Sequence, residues 1–345
     1  LANKINTTSM IANFSVENFF SIKSAQKISF EPTSDAFMSD EYSYEVKDGV
    51  RLLKVGIIYG ANASGKTNVL NAIEFFRMLV LRMPKDRNEK TGVVPFMLDD
   101  TSRNETTKMS MVFYINQSKY VLSFELDAMH IHSETLVVYD SIRPTKLYNR
   151  SYDAATDSTT IEFGSNLKMS RKSQEVISGN TINNCSVLAA FGKSNVERTK
   201  LNDVYDYFAN HVKDVLAPGM LLSGYVKSRL DKDETGDLKK FILNFLKASD
   251  FNIEDVVLVP IDEVETSIHY ELLAYFLKVF LANSNRPSQM LLTTHDINLL
   301  NEDFIRRDTI WFTDKDELGE TQIMRLSSLG LHKNLSPYNA YKQGK

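Results

Sequence analysis

A single cysteine, Cys185, stands in 345 residues. It excludes an internal disulfide and any cysteine-based zinc site, and it fits a reducing compartment. Also missing is any apolar run near the roughly 20 residues that span a bilayer. Leu1 to Ser9 are polar and supply no hydrophobic region of a signal peptide, and Met10 with the alternating residues after it reads as a natural start. These absences point to the cytoplasm. Positive charge is not in excess either: 40 Lys and Arg against 44 Asp and Glu leave a net charge of −4. That balance argues against a surface that coats nucleic acid and leaves room only for a local basic patch. Internal repeats, low-complexity tracts and a sustained heptad pattern are absent, which excludes a long coiled-coil arm. With 43% hydrophobic and 24% charged residues the chain suits one large domain or two smaller ones.

The strongest positive signal is Leu52 to Asn68. A β-branched apolar run, Leu52 to Tyr59, leads into Gly60-Ala61-Asn62-Ala63-Ser64-Gly65-Lys66-Thr67, and an amphipathic segment, Val69 to Arg82, follows. Gly60 to Thr67 fits G-x-x-x-x-G-K-[ST] at every fixed position, in the strand, loop and helix context that a P-loop requires. Such a loop is a cradle of backbone N–H groups closed on a helix N-terminus, where orphan donors and the positive end of the helix dipole face an anion. A nucleoside triphosphate fits there. Gly65 lets the chain approach the phosphates, Lys66 carries a mobile charge to the β and γ oxygens, and Thr67 completes part of a Mg²⁺ shell.

Two short antiparallel strands, Ile11 to Val16 and Lys27 to Phe30, are predicted as an edge sheet before the P-loop. A hairpin follows, Met109 to Ile115 and Tyr120 to Leu126, turning at Asn116-Gln117-Ser118. Strands continue over His130 to Tyr139 and Thr159 to Phe163. His130 and His132 lie two apart on one face, half of a metal site, yet no further ligand has suggestive spacing and strand histidines usually just occupy a face. From about Ser173 to Phe251 the pattern is helical, with Val204, Tyr207, Phe208, His211, Val212 and Val215 at three- and four-residue spacing.

Ile261-Asp262-Glu263 then delivers adjacent carboxylates at the end of an apolar run, where Asp262 would serve the Mg²⁺ shell and Glu263 would orient and deprotonate a water. Alone, an Asp-Glu pair is a common helix cap. Here a helix (Ile268 to Ala282), a buried strand (Gln289 to Thr293) and Thr294-His295-Asp296 follow. That is an α/β succession, in which ligands bind at the carboxyl ends of the strands. Pro260 cannot donate to a central strand. Val256 to Val259 and Ile261 are therefore expected to belong to two different strands with further chain between them.

Tyr59 to Asn68, Asp262 to His269 and Thr293-Thr294-His295-Asp296 together resemble the Walker A, Walker B with D-loop, and H-loop of ABC-type ATPases of the RecF, SMC and OLD-like group. Phe14 to Phe19 is similar to the opening strand of that group. More narrowly, the chain resembles stand-alone ATPases of bacterial anti-phage systems of the Septu, retron-associated and abortive-infection types. The resemblance implies an α/β ABC-type P-loop head with an N-terminal antiparallel side sheet and a helical insertion. Its expected parts are an N-terminal ATPase lobe (10–165), a mainly helical insertion (166–255) and a C-terminal ATPase lobe (256–345). It implies ATP and Mg²⁺ as cofactors, with Gly60, Asn62, Ala63, Ser64, Gly65, Lys66, Thr67 and Asn68 around the nucleotide and Thr67 and Asp262 on the metal. Glu263, His295 and Lys66 would be catalytic. A homodimer sandwiching ATP, or a higher oligomer, would control a separately encoded nuclease or toxin effector, with DNA or RNA as a further partner.

The sequence departs from that group in two places. No Leu-Ser-x-Gly or Ser-x-Gly-x segment precedes Asp262, Leu222-Ser223-Gly224 being the nearest string, and no Q-loop glutamine is evident because Gln117 sits in a hairpin turn. No acidic nuclease domain of the Toprim type is evident in these residues, so nuclease activity is not expected of them. The alternative readings are a scaffold that binds ATP but turns it over slowly, and a RecF-like repair ATPase. The latter needs a basic track, for which Arg143-Lys146-Arg150 and Lys168-Arg171-Lys172 are candidates. A GTPase or small-molecule kinase fits less well, having no counterpart of Thr293 to Asp296.

Overall fold

The computed structural model describes residues 8–215, 223–248, 270–282, 287–330 and 336–342. Its first half runs β1 (Ser9–Glu17), β2 (Gln26–Ser29), α1 (Ser39–Tyr42), β3 (Ser43–Lys47), β4 (Val50–Leu53), β5 (Val55–Tyr59), α2 (Lys66–Leu81), β6 (Thr107–Ile115), β7 (Ser118–Leu126), β8 (Ile131–Tyr139), β9 (Thr145–Asp153) and β10 (Ser158–Phe163). Then come α3 (Arg171–Asn180), α4 (Val187–Gly192), α5 (Lys200–Asn210), α6 (Ser223–Asp231), α7 (Asp237–Ala248), α8 (Tyr270–Ala282), β11 (Met290–Thr294), β12 (Ile310–Lys315), β13 (Thr321–Arg325) and α9 (Pro337–Lys342). Asp262, Glu263, the D-loop and the break expected at Pro260 lie outside the described residues.

A seven-stranded antiparallel sheet has the order β10-β9-β8-β7-β6-β1-β2. Its strands alternate as a half-buried pleat requires: Met109, Met111 and Phe113 of β6 and Leu122, Phe124 and Leu126 of β7 all point into the core. The expected β6–β7 hairpin forms, with Asn116 (φ 47°) and Gln117 (φ 70°) as its left-handed turn residues. The β1–β2 pair also forms, but it is no separate edge sheet, since β1 pairs with β6 on its other side. Strand β9 was not expected, because its buried member at the decisive position is an arginine. Arg150 is fully buried and donates to the carbonyls of Ile131 and Asn183. It therefore cannot belong to a basic track. Lys168, Arg171 and Lys172 are exposed, with Arg171 paired to Glu175.

The second sheet, β11-β5-β12-β13, carries the P-loop. Strand β5 is buried at every position and pairs in parallel on both sides, with β11 and β12. A strand covered on both faces needs a continuous apolar run, and Val55-Gly56-Ile57-Ile58-Tyr59 supplies it. The run read as continuous from Leu52 is broken at Lys54, which sends β4 into a hairpin with β3 instead. Lys54 is fully buried, and its ammonium donates to the carbonyl of Leu281 at 3.2 Å. Gln289 joins the two sheets, accepting from the Ile11 N–H and donating to the carbonyls of Ile11 and Leu53.

Helix α2 lies between the sheets. Phe76 meets Phe14 of β1, Phe124 of β7 and Phe208 of α5 at ring-centroid distances of 5.8, 5.1 and 5.9 Å. Each such buried ring stabilises the packing by roughly 1.5–3 kcal/mol, so the P-loop helix is held through its apolar face. The expected helical region contains α3 to α7, and Val204, Tyr207, Phe208 and Val212 are buried as their spacing implies, whereas His211 is exposed. The helix and strand expected after Asp262 correspond to α8 and β11, but β11 is half-buried at every position where a buried strand was expected, since it ends the order of its sheet among the described residues.

Candidate nucleotide site

The loop Gly60–Gly65 leaves the carboxyl end of β5 and enters α2. Two residues take left-handed conformations, Ala63 (φ 64°) and Gly65 (φ 101°). A Cβ on Gly65 would stand 2.1 Å from Thr321 Oγ1, and one on Gly60 would stand 2.4 Å from both Ser64 Oγ and Thr313 Oγ1. Glycine is required at both positions for close approach. The N–H groups of Asn62, Ala63, Gly65, Lys66 and Thr67 have no acceptor among the described residues. Backbone donors left without an acceptor among the described residues at a helix N-terminus are what a polyphosphate would use.

The six side chains of the motif differ in what they do. Ser64 is buried and shares a hydrogen bond of 2.7 Å with Thr313 Oγ1, while Asn68 donates to Ser21 Oγ at 2.6 Å. Both therefore hold the loop's shape. Asn62, Ala63 and Thr67 are exposed. Lys66 bends back, its ammonium donating to the carbonyls of Gly60 (2.7 Å) and Ala61 (2.8 Å), and burial lowers its pKa from the ordinary lysine value. A phosphate would offer that ammonium a charged partner in place of two neutral carbonyls.

Three residues that hold the loop are not visible in the motif. Thr313 of β12 donates to the Tyr59 carbonyl, and Thr321 of β13 donates to the Ser64 carbonyl and shares a hydrogen bond of 2.7 Å with Ser21 Oγ. Ser21 comes from the β1–β2 connection, so two sheets meet behind the cradle. The apolar run Ile310-Trp311-Phe312 was a readable strand signal. Nothing near Thr321 or Ser21 marks their partners.

His295 follows β11 directly. Because Thr294 pairs with Tyr59 in register, the chain leaves the sheet at His295 alongside the start of the P-loop, and the His295 side chain is exposed. Asp296 caps the short helical turn after it by accepting from the Asn298 N–H. Asp262 and Glu263 lie outside the described residues, and His295 is set near Gly60 only through the pairing of β11 with β5. Ser223, the serine of the nearest signature-like string, lies in α6, and Leu222 lies outside the described residues.

A glycine-rich cradle at the end of a parallel central strand, beside a large antiparallel sheet, is an α/β P-loop arrangement. Residues 57–181 match the family described as "AAA domain, putative AbiEii toxin, Type IV TA system". Among solved structures, the SMC head domain from Thermotoga maritima is similar at 14% identity, covering 91% of this chain and 98% of that one, with a TM-score of 0.44. The recombination mediator RecF with ATP, of the RecFOR pathway, is similar at 14% identity, covering 94% and 100%, with a TM-score of 0.32. No curated protein matches the chain. No helix of the described residues is long and apolar enough to cross a membrane.

Proposed function

We propose that the chain binds and hydrolyses ATP with Mg²⁺, as an ABC-type ATPase that dimerises around the nucleotide and regulates a separately encoded nuclease or toxin effector. The observation that carries the reading is the set of N–H donors without an acceptor among the described residues, with Lys66 poised beside it. When bound, Mg²⁺ would neutralise the charge that develops on the phosphates, held by Thr67 and Asp262. Lys66 binds the β and γ oxygens. Glu263 orients a water and accepts its proton, and His295 contacts the γ-phosphate from the end of β11. The division into lobes at 10–165 and 256–345 with a helical insertion at 166–255 is part of this proposal. The abortive-infection and toxin–antitoxin terms of the matched family support a defence setting. Burial of Arg150 takes one of the three cations out of the Arg143-Lys146-Arg150 cluster that a RecF-like repair role would use.

The test is Glu263→Gln. Without a base the bound ATP persists, so an ATP-dependent dimer accumulates and light scattering detects it. If the Gln variant hydrolyses ATP at the parental rate, Glu263 is not the base. If the variant stays monomeric while binding ATP, the sandwich is wrong.

A further inference from the structure

The connection between β7 and β8 gathers Asp127, His130 and His132, remote in sequence from the P-loop. One ligand atom from each lies within 4.8 Å of the others, the grouping found among the described residues that could hold a metal ion. His132 Nε2 is 2.7 Å from Asp127 Oδ2, and His130 Nδ1 is 3.7 Å from Asp127 Oδ1. Sequence spacing hid the third ligand, because Asp127 belongs to the preceding strand's end and reaches the histidines only through the turn.

The turn holds these side chains in place. Asp127 Oδ1 accepts from the N–H groups of Met129 and His130, both at 2.7 Å, which leaves Oδ2 facing His132. Thr91 clamps the backbone from outside, its hydroxyl donating to the Asp127 carbonyl and its N–H to the Ala128 carbonyl. Tyr152 of β9 packs against both rings: His130 stacks on it at 4.3 Å and His132 meets its edge at 5.6 Å. All three side chains keep a quarter to two-fifths of their surface exposed, at 29%, 33% and 40% for His130, His132 and Asp127. Beside them is an open pocket of about 290 Å³ whose wall includes Asp127, His130, Arg103 and Glu105.

We infer that Asp127, His130 and His132 form a divalent transition-metal site, suited to Zn²⁺, with a remaining coordination position open to this pocket. Two borderline imidazoles and one carboxylate are a donor set that Zn²⁺ takes, and three protein ligands with one open position is a recurrent zinc arrangement. Ligand atoms around tetrahedral Zn²⁺ stand about 3.3 Å apart, given bonds of roughly 2.0–2.2 Å. Reaching that spacing asks the part-exposed rings to shift by about an ångström. The ion replaces the His132–Asp127 hydrogen bond with coordination, and Tyr152 supplies the packing that orients the rings.

The experiment is calorimetric titration of ZnCl₂ into the full chain, metal-free and without nucleotide, with Co²⁺ absorption as a report on geometry. One equivalent of zinc is expected, with a raised Tm and visible Co²⁺ bands. Removing a ligand costs at least the hundredfold or so that outer-shell changes can cost. His130→Ala and His132→Ala should each weaken zinc by about that factor and abolish the Co²⁺ bands. Asp127→Asn keeps the acceptor for the turn's N–H groups and should still lose affinity, which separates coordination from folding. Absence of zinc binding at micromolar concentrations, or one-equivalent binding undiminished in both histidine variants, overturns the site.

Discussion

Replacing Gly65 with alanine tests whether the P-loop is built as described. Gly65 sits at φ 101°, ψ 7°, where an L side chain is strained. That strain costs about 1–3 kcal/mol. The new Cβ would also lie 2.1, 2.7 and 2.9 Å from Thr321 Oγ1, Cγ2 and Cβ, so β13 or the loop must move. Overpacking of this kind costs a further 1–3 kcal/mol or so, giving a total near 2–6 kcal/mol. Thr321→Ala alone should cost about 1–2 kcal/mol, because its hydroxyl joins the Ser64 carbonyl to Ser21. In the double variant two of the three close atoms are gone, and the backbone strain of about 1–3 kcal/mol is what remains of the Gly65 effect. The double-mutant cycle, read by urea unfolding, should show a favourable coupling of roughly 1–3 kcal/mol. A Gly65→Ala protein within about 0.5 kcal/mol of the parent, or strictly additive effects, would refute the contact between loop and strand.

His295→Ala should slow ATP turnover with nucleotide affinity largely kept, since a γ-phosphate contact matters most as charge develops; equal loss of ADP and ATP binding would count against the role. Asp308 is buried and bridges Arg306 through two hydrogen bonds, at 2.9 and 2.7 Å, while accepting from Thr33. Burial raises its pKa, but the bonds from Arg306 and Thr33 outweigh burial and hold it below the ordinary value. The stability from this group is therefore present above about pH 4 and lost as pH falls through the depressed folded pKa. Asp308→Asn should cost about 3–5 kcal/mol at neutral pH. The gap to the parent, followed by urea midpoints, should close on acidification, and a gap constant with pH would contradict the assignment.

The parts legible in the sequence are those governed by local rules. Gly60 to Thr67 announces its own loop, and the alternation of β6 and β7 and the spacing of Val204, Tyr207 and Phe208 report burial directly. Misreadings occurred where a buried charge breaks the pattern. Arg150 made β9 look like a basic surface, and Lys54 sits inside what looked like one strand. The loop's supports were invisible because they are small polar residues that meet across the chain: Thr313 and Thr321 reach Ser64 over separations of 249 and 257 positions, and Ser21 meets Thr321 over 300. The same blindness concealed Asp127, whose pairing with His132 depends on the geometry of a turn.

The most direct measurement of the central claim is Mg²⁺-ATP affinity, by calorimetry, for the parent chain and for Lys66→Ala. Lys66 exchanges its bonds to the Gly60 and Ala61 carbonyls for bonds to phosphate. A charged hydrogen bond contributes about 1.5–3 kcal/mol, so the account predicts binding by the parent and a loss of about tenfold or more in the variant. A parent chain that does not bind ATP, or a Lys66→Ala chain that binds it equally well, would contradict the account.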